Sequence, residues 1–137
     1  MQRTVLIVLL FSALCLNFQI TAAPVTASVA DAAMDGDLDL LRSLLQEGAD
    51  VNAPHGDGMT ALHWSAEYGN ESMARMLVYA GANVEAVTRI GQYTPLHVAS
   101  RTANPKVVNI LLEAGADPHA KTSNTGVTPL HLAAASG

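Results

Sequence analysis

Pairs of apolar residues recur along the chain at the spacing of a helix face. In the stretch NPKVVNILLEAG, which begins at Asn104, the apolar pairs stand four residues apart and so share one side of a helix. The pairs are Val107 with Val108 and Leu111 with Leu112, and the spacing recurs as Leu40, Leu41, Leu44, Leu45 and as Met73, Ala74, Leu77, Val78. Asn104 is predicted to cap this helix, Pro105 to start it and Gly115 to end it. The pattern predicts three amphipathic helices.

A shorter helix is predicted to open each repeating unit. The segments TALHWSAEYG, TPLHVASRTA and TPLHLAAASG begin at Thr60, Thr94 and Thr128, which are 34 residues apart. Threonine can cap a helix with its hydroxyl, and Pro95 stands at the first helical position, where no N–H is needed. Glycine-rich polar stretches between the units are predicted to form hairpin-like connections. Self-similarity at this period indicates an array of stacked helical units.

The first residues have the layout of a secretory signal peptide. Arg3 precedes an apolar run that begins at Val5, and small residues follow in ITAAPVTAS. We predict a signal peptide over residues 1–27 with cleavage after Ala27, or else near Ala22 or Ala23. An uncleaved anchor is the alternative, but the uninterrupted apolar stretch is shorter than the roughly 20 residues of a membrane-spanning helix. The sequence therefore predicts an exported protein of bacterial type, periplasmic or secreted, without stable membrane insertion after cleavage.

The charge balance and the cysteine count exclude several classes of function. Seven basic residues stand against twelve acidic ones, for a net charge of −5, and the basic residues form no cluster. This balance argues against nucleic acid and anionic lipid as partners. Cys15 is the single cysteine and lies inside the predicted signal peptide. The predicted mature chain therefore has neither a disulfide nor thiol chemistry.

The repeated segments resemble the ankyrin repeat. The carrying motifs are TPLHVA and TPLHLA, the near match TALHWS, and the recurring GAD or GAN that closes a unit. The resemblance covers roughly residues 29–137 and implies an all-α solenoid of helix-turn-helix units joined by hairpin-like loops. Two departures are Ala61, where the motif has proline, and Ala103, where a glycine is usual between the helices. They are expected to alter loop shape only locally.

The repeat gives the expected division of the chain. We predict an N-terminal cap repeat over residues 28–59, repeats over 60–93 and 94–127, and an incomplete unit over 128–137. The first unit has Asp31 in place of the motif, as expected of a terminal repeat with one face in water. Because the last unit has only its first helix, we expect the sequence to be a piece of a longer protein.

No residue pattern supports catalysis, a metal or a cofactor. His63, His97 and His131 recur with the units, but packed helices stand about 10 Å apart, too far for the three to share one metal ion. The resemblance implies instead that each imidazole hydrogen-bonds to a neighbouring turn. Ser65 and Ser100 lie beside these histidines without a third group to complete a catalytic triad. We therefore predict no enzyme, no metal and no cofactor.

The remaining function is binding to another protein. By the resemblance, partners meet the hairpin tips and the first helix of each unit. The candidate partner-binding residues are Asp57, Met59, Glu67, Tyr68, Arg89, Ile90, Tyr93, Arg101 and Thr102. Tyr68, Tyr93 and Arg101 are favoured, because tyrosine and arginine dominate interface energetics. Trp64 is expected to pack against the adjacent unit, with an exposed anchor as the alternative.

Two other functions stay open at this point. The repeats are compatible with the recognition arm of a longer enzyme whose catalytic domain lies beyond residue 137. They are also compatible with a secreted effector that acts inside another cell. An aperiodic downstream domain would favour the first of these, and release into the medium the second.

Overall fold

The computed structural model describes residues 27–137, which form seven helices. In chain order they are α1 Val29–Asp35, α2 Leu38–Gln46, α3 Ala61–Tyr68, α4 Glu71–Tyr79, α5 Pro95–Arg101, α6 Pro105–Glu113 and α7 Pro129–Ser136. The predicted signal peptide lies outside the described residues, except for Ala27. No strand occurs within residues 27–137, and the predicted all-α class is confirmed.

The odd-numbered helices form an inner row, in which α1 packs on α3, α3 on α5 and α5 on α7. Each begins with a capping box within its first turn. In α5 the Thr94 hydroxyl accepts the His97 N–H at 3.3 Å, and His97 Nδ1 accepts the Thr94 N–H at 3.2 Å. In α1 the same two positions are Ser28 and Asp31, which bond to each other in the same way. The atypical first unit thus keeps the cap with different side chains.

The even-numbered helices form an outer row, and each packs on the inner helix that precedes it. The core lies between the two rows, where the largest fully buried apolar side chains are Leu41, Leu62, Met73, Leu77, Leu96, Val107 and Leu111. Burial of a leucine of this kind contributes about 1.5–3 kcal/mol. The helices are only 7 to 9 residues long, so packing rather than helix propensity stabilises them.

The predicted stripe of α6 is correct at two of its positions and wrong at one. Val107 and Leu111 are buried and Val108 is half-buried, but Leu112 is 41% exposed. Ile110, which was not predicted, takes a buried place. Ile110 is buried because it lies on the side of α6 that packs on α4. Leu112 is exposed because it lies on another side of α6 and lines an open cleft beside α7.

The predicted cap of α6 is also wrong in its chemistry. Asn104 is the residue before the helix, but its side chain makes no capping hydrogen bond. Its amide nitrogen instead donates to the Ala66 carbonyl at 3.0 Å and to the Thr102 hydroxyl at 2.8 Å. Asn104 therefore ties α6 to the preceding unit, and Pro105 begins the helix without an N–H to satisfy.

The junction between α5 and α6 carries backbone strain at Ala103. Its φ of +54° lies in the left-handed region, which glycine occupies at the two equivalent junctions, Gly36 and Gly69. A residue with a Cβ pays about 1–2 kcal/mol for this conformation. Ala103 thus adopts the left-handed backbone that glycine has at the other two junctions, at a local cost in stability.

Three hairpin tips project from the connections, at residues 55–59, 88–93 and 122–127. In each tip the N–H of the first residue donates to the carbonyl of the last; for example, the Thr88 N–H donates to the Tyr93 carbonyl at 3.0 Å. The tips are also bonded to one another: the Arg89 N–H donates to the Asp57 carbonyl at 3.0 Å, and the Ser123 N–H to the Gly91 carbonyl at 3.0 Å. We call the three tips together with the exposed side chains of α1, α3, α5 and α7 the inner surface.

Candidate functional site

The motif histidines position the tips beside the inner helices. His63 Nδ1 accepts the Thr60 N–H at 3.1 Å, which leaves Nε2 to carry the proton and donate to the Tyr93 carbonyl at 2.9 Å. His97 repeats the arrangement one unit later, where Nε2 donates to the Val127 carbonyl at 3.0 Å. Each imidazole therefore joins its own helix cap to the end of the following tip.

Burial keeps the His63 imidazole neutral. The side chain is fully buried, and this lowers its pKa below the ordinary value of 6.5, against the opposing effects of the Tyr93 carbonyl and the Asp57 charge. A neutral ring is what the hydrogen bonds require, because Nδ1 must accept from an N–H. The histidine is a structural link, and its ring nitrogens are both occupied.

A groove runs between the first two tips and α5. It has a volume of about 250 Å³ and is lined by Asp57, Met59, Thr88, Ile90, Tyr93, Val98 and Arg101. Its walls are mainly apolar, and Ile90 is 85% exposed at the rim. Five of the nine predicted binding residues, from two tips and one helix, are therefore brought together in one groove.

Glu67 joins this group through an ion pair. The Arg101 guanidinium donates to a Glu67 carboxylate oxygen at 2.7 Å, across the boundary between α5 and α3. Glu67 does not itself line the groove. The contact orients the Arg101 side chain, although an exposed pair of this kind contributes only about 0.2–1 kcal/mol to stability.

The other three predicted residues lie outside the groove. The Tyr68 hydroxyl donates to the Met34 carbonyl at 3.0 Å, so this side chain bridges α3 and α1. The Thr102 hydroxyl donates to the Ala66 and Val98 carbonyls at 3.1 and 3.0 Å. Arg89 is exposed on the second tip and contributes its backbone N–H to the contact with Asp57. Tyr68 and Thr102 thus have structural bonds that their positions in the sequence did not reveal.

Two groove residues were missed by the sequence reasoning, Thr88 and Val98. The Thr88 hydroxyl donates to the Ile90 carbonyl at 2.9 Å and accepts the Tyr93 N–H at 3.1 Å, which fixes the shape of the second tip. Thr122 accepts the Val127 N–H in the third tip in the same way. This recurrence of threonine was a signal available in the sequence. Val98 occupies the variable position of the TPLHxA motif, where the preceding unit has Trp64.

Trp64 packs against the core. It is half-buried against the core side chains, and its ring stacks on Tyr68 with the ring centroids 5.9 Å apart. The aromatic pair therefore rigidifies the inner surface next to the groove, and a single exposed anchor at Trp64 is not what the structure has.

Within residues 27–137, no three side chains of histidine, cysteine, aspartate or glutamate are grouped so that they could hold a metal ion. None of the seven described helices has both the length and the apolar character to cross a bilayer.

A family model described as Ankyrin repeats (3 copies) matches residues 29–122. The chain belongs to the ankyrin repeat family. The resemblance noted in the sequence is thereby confirmed, as is the expected solenoid fold. The ankyrin repeat is a non-catalytic interaction fold that generally serves to bind other proteins.

Several curated proteins match part of the chain. Protein phosphatase 1 regulatory subunit 12A of Mus musculus is 41% identical over 61 residues, which are 44% of this chain and 6% of that protein. Ankyrin repeat domain-containing protein 39 of Homo sapiens is 35% identical over 57 residues, 42% of this chain and 31% of that protein. Apoptosis-stimulating of p53 protein 2 of Homo sapiens is 35% identical over 60 residues, 44% of this chain and 5% of that protein. The match thus spans less than a third of the length of each of these relatives.

Proposed function

We propose that this chain is a non-enzymatic protein-binding module whose partner contacts the inner surface and inserts a side chain into the groove. The supporting observation is that side chains that differ from unit to unit converge in the groove, among them Ile90 at the rim, Tyr93 and Arg101. Tyrosine, arginine and methionine are the residue types enriched at protein interfaces.

The dimensions of the groove favour a protein partner over a small molecule. Its volume of about 250 Å³ lies below the range of roughly 300–1,000 Å³ typical of small-molecule sites. It is open along one side and suits a single inserted side chain, with the flanking partner chain lying over the tips and α3. This arrangement supports recognition of a peptide segment or a protein surface.

The names of the relatives favour a regulatory setting. One relative is named a regulatory subunit of a phosphatase and another after p53. A second candidate function is therefore that of a recognition arm. In this case the repeats bind the protein partner, and a separate catalytic unit carries out the chemistry. The groove has the same role in both cases.

The proposal includes export by residues 1–27. The layout of a basic start, an apolar run and small residues supports a cleaved signal peptide. Expression in a bacterial host followed by N-terminal sequencing is expected to find a mature chain in the periplasm or medium that begins at Ser28. A chain that keeps Met1 and stays in the cytoplasm would refute the export.

The binding function is tested with a random peptide library selected against residues 28–137. Selected peptides are expected to bind the Ile90→Glu variant at least about tenfold more weakly, because a charge replaces an exposed apolar contact at the rim. The matched control is Tyr79→Ala on α4, a side chain that is 95% exposed outside the groove. The proposal would be contradicted if the selected peptides bound the Tyr79→Ala variant more weakly and the Ile90→Glu variant as tightly as the unmodified chain. It would also be contradicted if no peptide were selected.

A further inference from the structure

The charges of the inner surface are separated along the stack. The first half, made of α1, the first tip and α3, carries acidic side chains and neither lysine nor arginine; they are Asp31, Asp35, Asp57 and Glu67. The second half, made of the second and third tips with α5 and α7, carries Arg89 and Arg101 and neither aspartate nor glutamate. Lys121 adds a third cation next to the third tip.

The outer row has no such separation. The helices α2, α4 and α6 each carry a balanced set of charges: Asp39 with Arg42, Glu71 with Arg75, and Glu113 with Lys106. Two of these pairs are closed within a helix, Arg42 with Asp39 at 3.0 Å and Arg75 with Glu71 at 3.2 Å. Paired charges of this kind suit a solvated helix face. The separation is therefore a property of the inner surface and does not follow from the composition of the chain.

We infer that the partner segment is itself charge-polarised, with basic residues over the acidic half, an apolar side chain in the groove and acidic residues over the basic half. This inference rests on the proposed protein-binding function. The groove lies at the boundary between the halves, since its lining includes Asp57 from one and Arg101 from the other. A segment that crosses the groove must therefore pass both signs of charge.

The exposed groups have capacity for such contacts. Asp57 accepts the Met59 N–H at 2.8 Å with one carboxylate oxygen and lies 3.9 Å from His55. Arg101 bonds to Glu67 through one nitrogen, although a guanidinium has five N–H donors in all. Asp57 and Arg89 form no ion pair with each other within the described residues, although their backbones are bonded.

Separate halves can act as separate subsites at physiological ionic strength. Screening reduces exposed charge interactions beyond about 8 Å, and adjacent stacked helices stand about 10 Å apart. A charge on the partner is therefore influenced mainly by the unit beneath it. The alternative is that the net negative charge of the chain dominates, in which case a uniformly basic partner would bind best.

The experiment uses defined peptides on the predicted mature chain, residues 28–137. Each probe has a central leucine; two probes have lysines on one flank and glutamates on the other, in the two possible orders, and two have uniform lysine or uniform glutamate flanks. At least one polarised peptide is expected to bind about tenfold more tightly than both uniform peptides. Both of its flanks meet charges of opposite sign on the inner surface, whereas each uniform peptide has one flank over charges of its own sign. Tightest binding by the uniformly basic peptide would overturn the inference and leave the proposed function standing.

Matched variants locate the effect. Arg89→Glu combined with Arg101→Glu is expected to weaken the polarised peptide about tenfold, whereas Arg42→Glu combined with Arg75→Glu makes the same change of net charge on the outer row and is expected to leave binding unchanged. Arg89→Glu alone, which breaks no ion pair among residues 27–137, serves if the double variant does not fold. Equal losses in the inner and outer variants would overturn the inference. Library peptides that need Ile90 but show no charge polarity would also overturn it, whereas the lack of any groove-dependent peptide would overturn the function itself.

Discussion

Positions that recur in every unit and positions that differ between units occupy different places in this molecule. The Thr–His pairs of α3 and α5 are buried and fully bonded, and each joins a helix to the next tip. Ile90, Tyr93 and Arg101 line the groove. The equivalent positions of other units, 34 residues away, hold different residues, such as Met59 and Val127 for Tyr93 and Glu67 for Arg101. The recurrent residues thus maintain the stack, and the unit-specific ones give the inner surface its own chemistry.

This difference shows how a repeat array gains specificity. Because the links between helix and tip at α3 and α5 are made by the same Thr–His side chains, the unit-specific positions on the inner surface can change without loss of the fold. A substitution at a recurrent position should therefore lower stability, and one in the groove should lower binding.

The largest loss of stability is expected for Leu111→Ala. Leu111 is fully buried between the rows, so truncation should lower the free energy of unfolding by about 2–5 kcal/mol, the range for cavities in a packed core. Leu112→Ala is the matched control, because the neighbouring side chain is 41% exposed. Urea denaturation measures both; equal losses would show that the stripe of α6 is assigned to the wrong side.

A loss of about 2–3 kcal/mol is expected for His63→Ala, since the Tyr93 carbonyl and the Thr60 N–H would each lose a buried partner. His131→Ala removes the equivalent ring from α7, where it is exposed, and should cost much less. If the two variants were equally stable, the link between helix and tip would not contribute to stability.

The same histidine predicts an acid-dependent loss of stability. Its pKa is lowered by burial, so the unfolded chain, with an ordinary histidine pKa of about 6.5, takes up a proton before the folded chain does. The contribution is present above about pH 6.5 and is lost as the pH falls through the lowered folded pKa. Denaturation at a series of pH values should show His63→Ala losing less stability between pH 7 and about pH 5 than the unmodified chain. A parallel loss in both proteins would contradict this assignment.

A smaller effect, a gain, is expected for Ala103→Gly. Glycine removes the cost of the left-handed backbone at this junction, but it adds freedom to the unfolded chain. The expected net gain is about 0.5–1 kcal/mol. Gly69→Ala is the reciprocal change and should destabilise by more, because a Cβ there would meet the Asn104 side chain as well. A destabilised Ala103→Gly variant would show that Ala103 is not strained.

Much of the fold could be predicted from the sequence, because its signals are local and repeated. The start of α5 is predicted by Thr94, Pro95 and His97. The outer helices are predicted by the apolar stripes to which Leu41 and Leu77 belong. The predicted cap at Asn104 failed because its amide forms a contact 38 residues back in the chain, at Ala66. Ile110 and Leu112 were misassigned because a stripe pattern gives a face and not the neighbour that covers it.

The candidate site was predictable in its location and less so in its details. Tips and inner helices followed from the family resemblance, and Met59, Ile90 and Tyr93 do meet in the groove. The bonds of Tyr68 to Met34 and of Thr102 to Ala66 join different units. Such long-range bonds depend on how adjacent units stack, and no local pattern encodes them.

The most direct test of the account is to map a selected peptide onto the isotope-labelled chain by NMR. The account predicts that signals from Ile90, Tyr93 and Arg101 shift on titration, while those of Tyr79 and its neighbours on α4 do not. Shifts centred on Tyr79 and the outer row, with the groove unchanged, would contradict the claim that the unit-specific inner surface is the binding site.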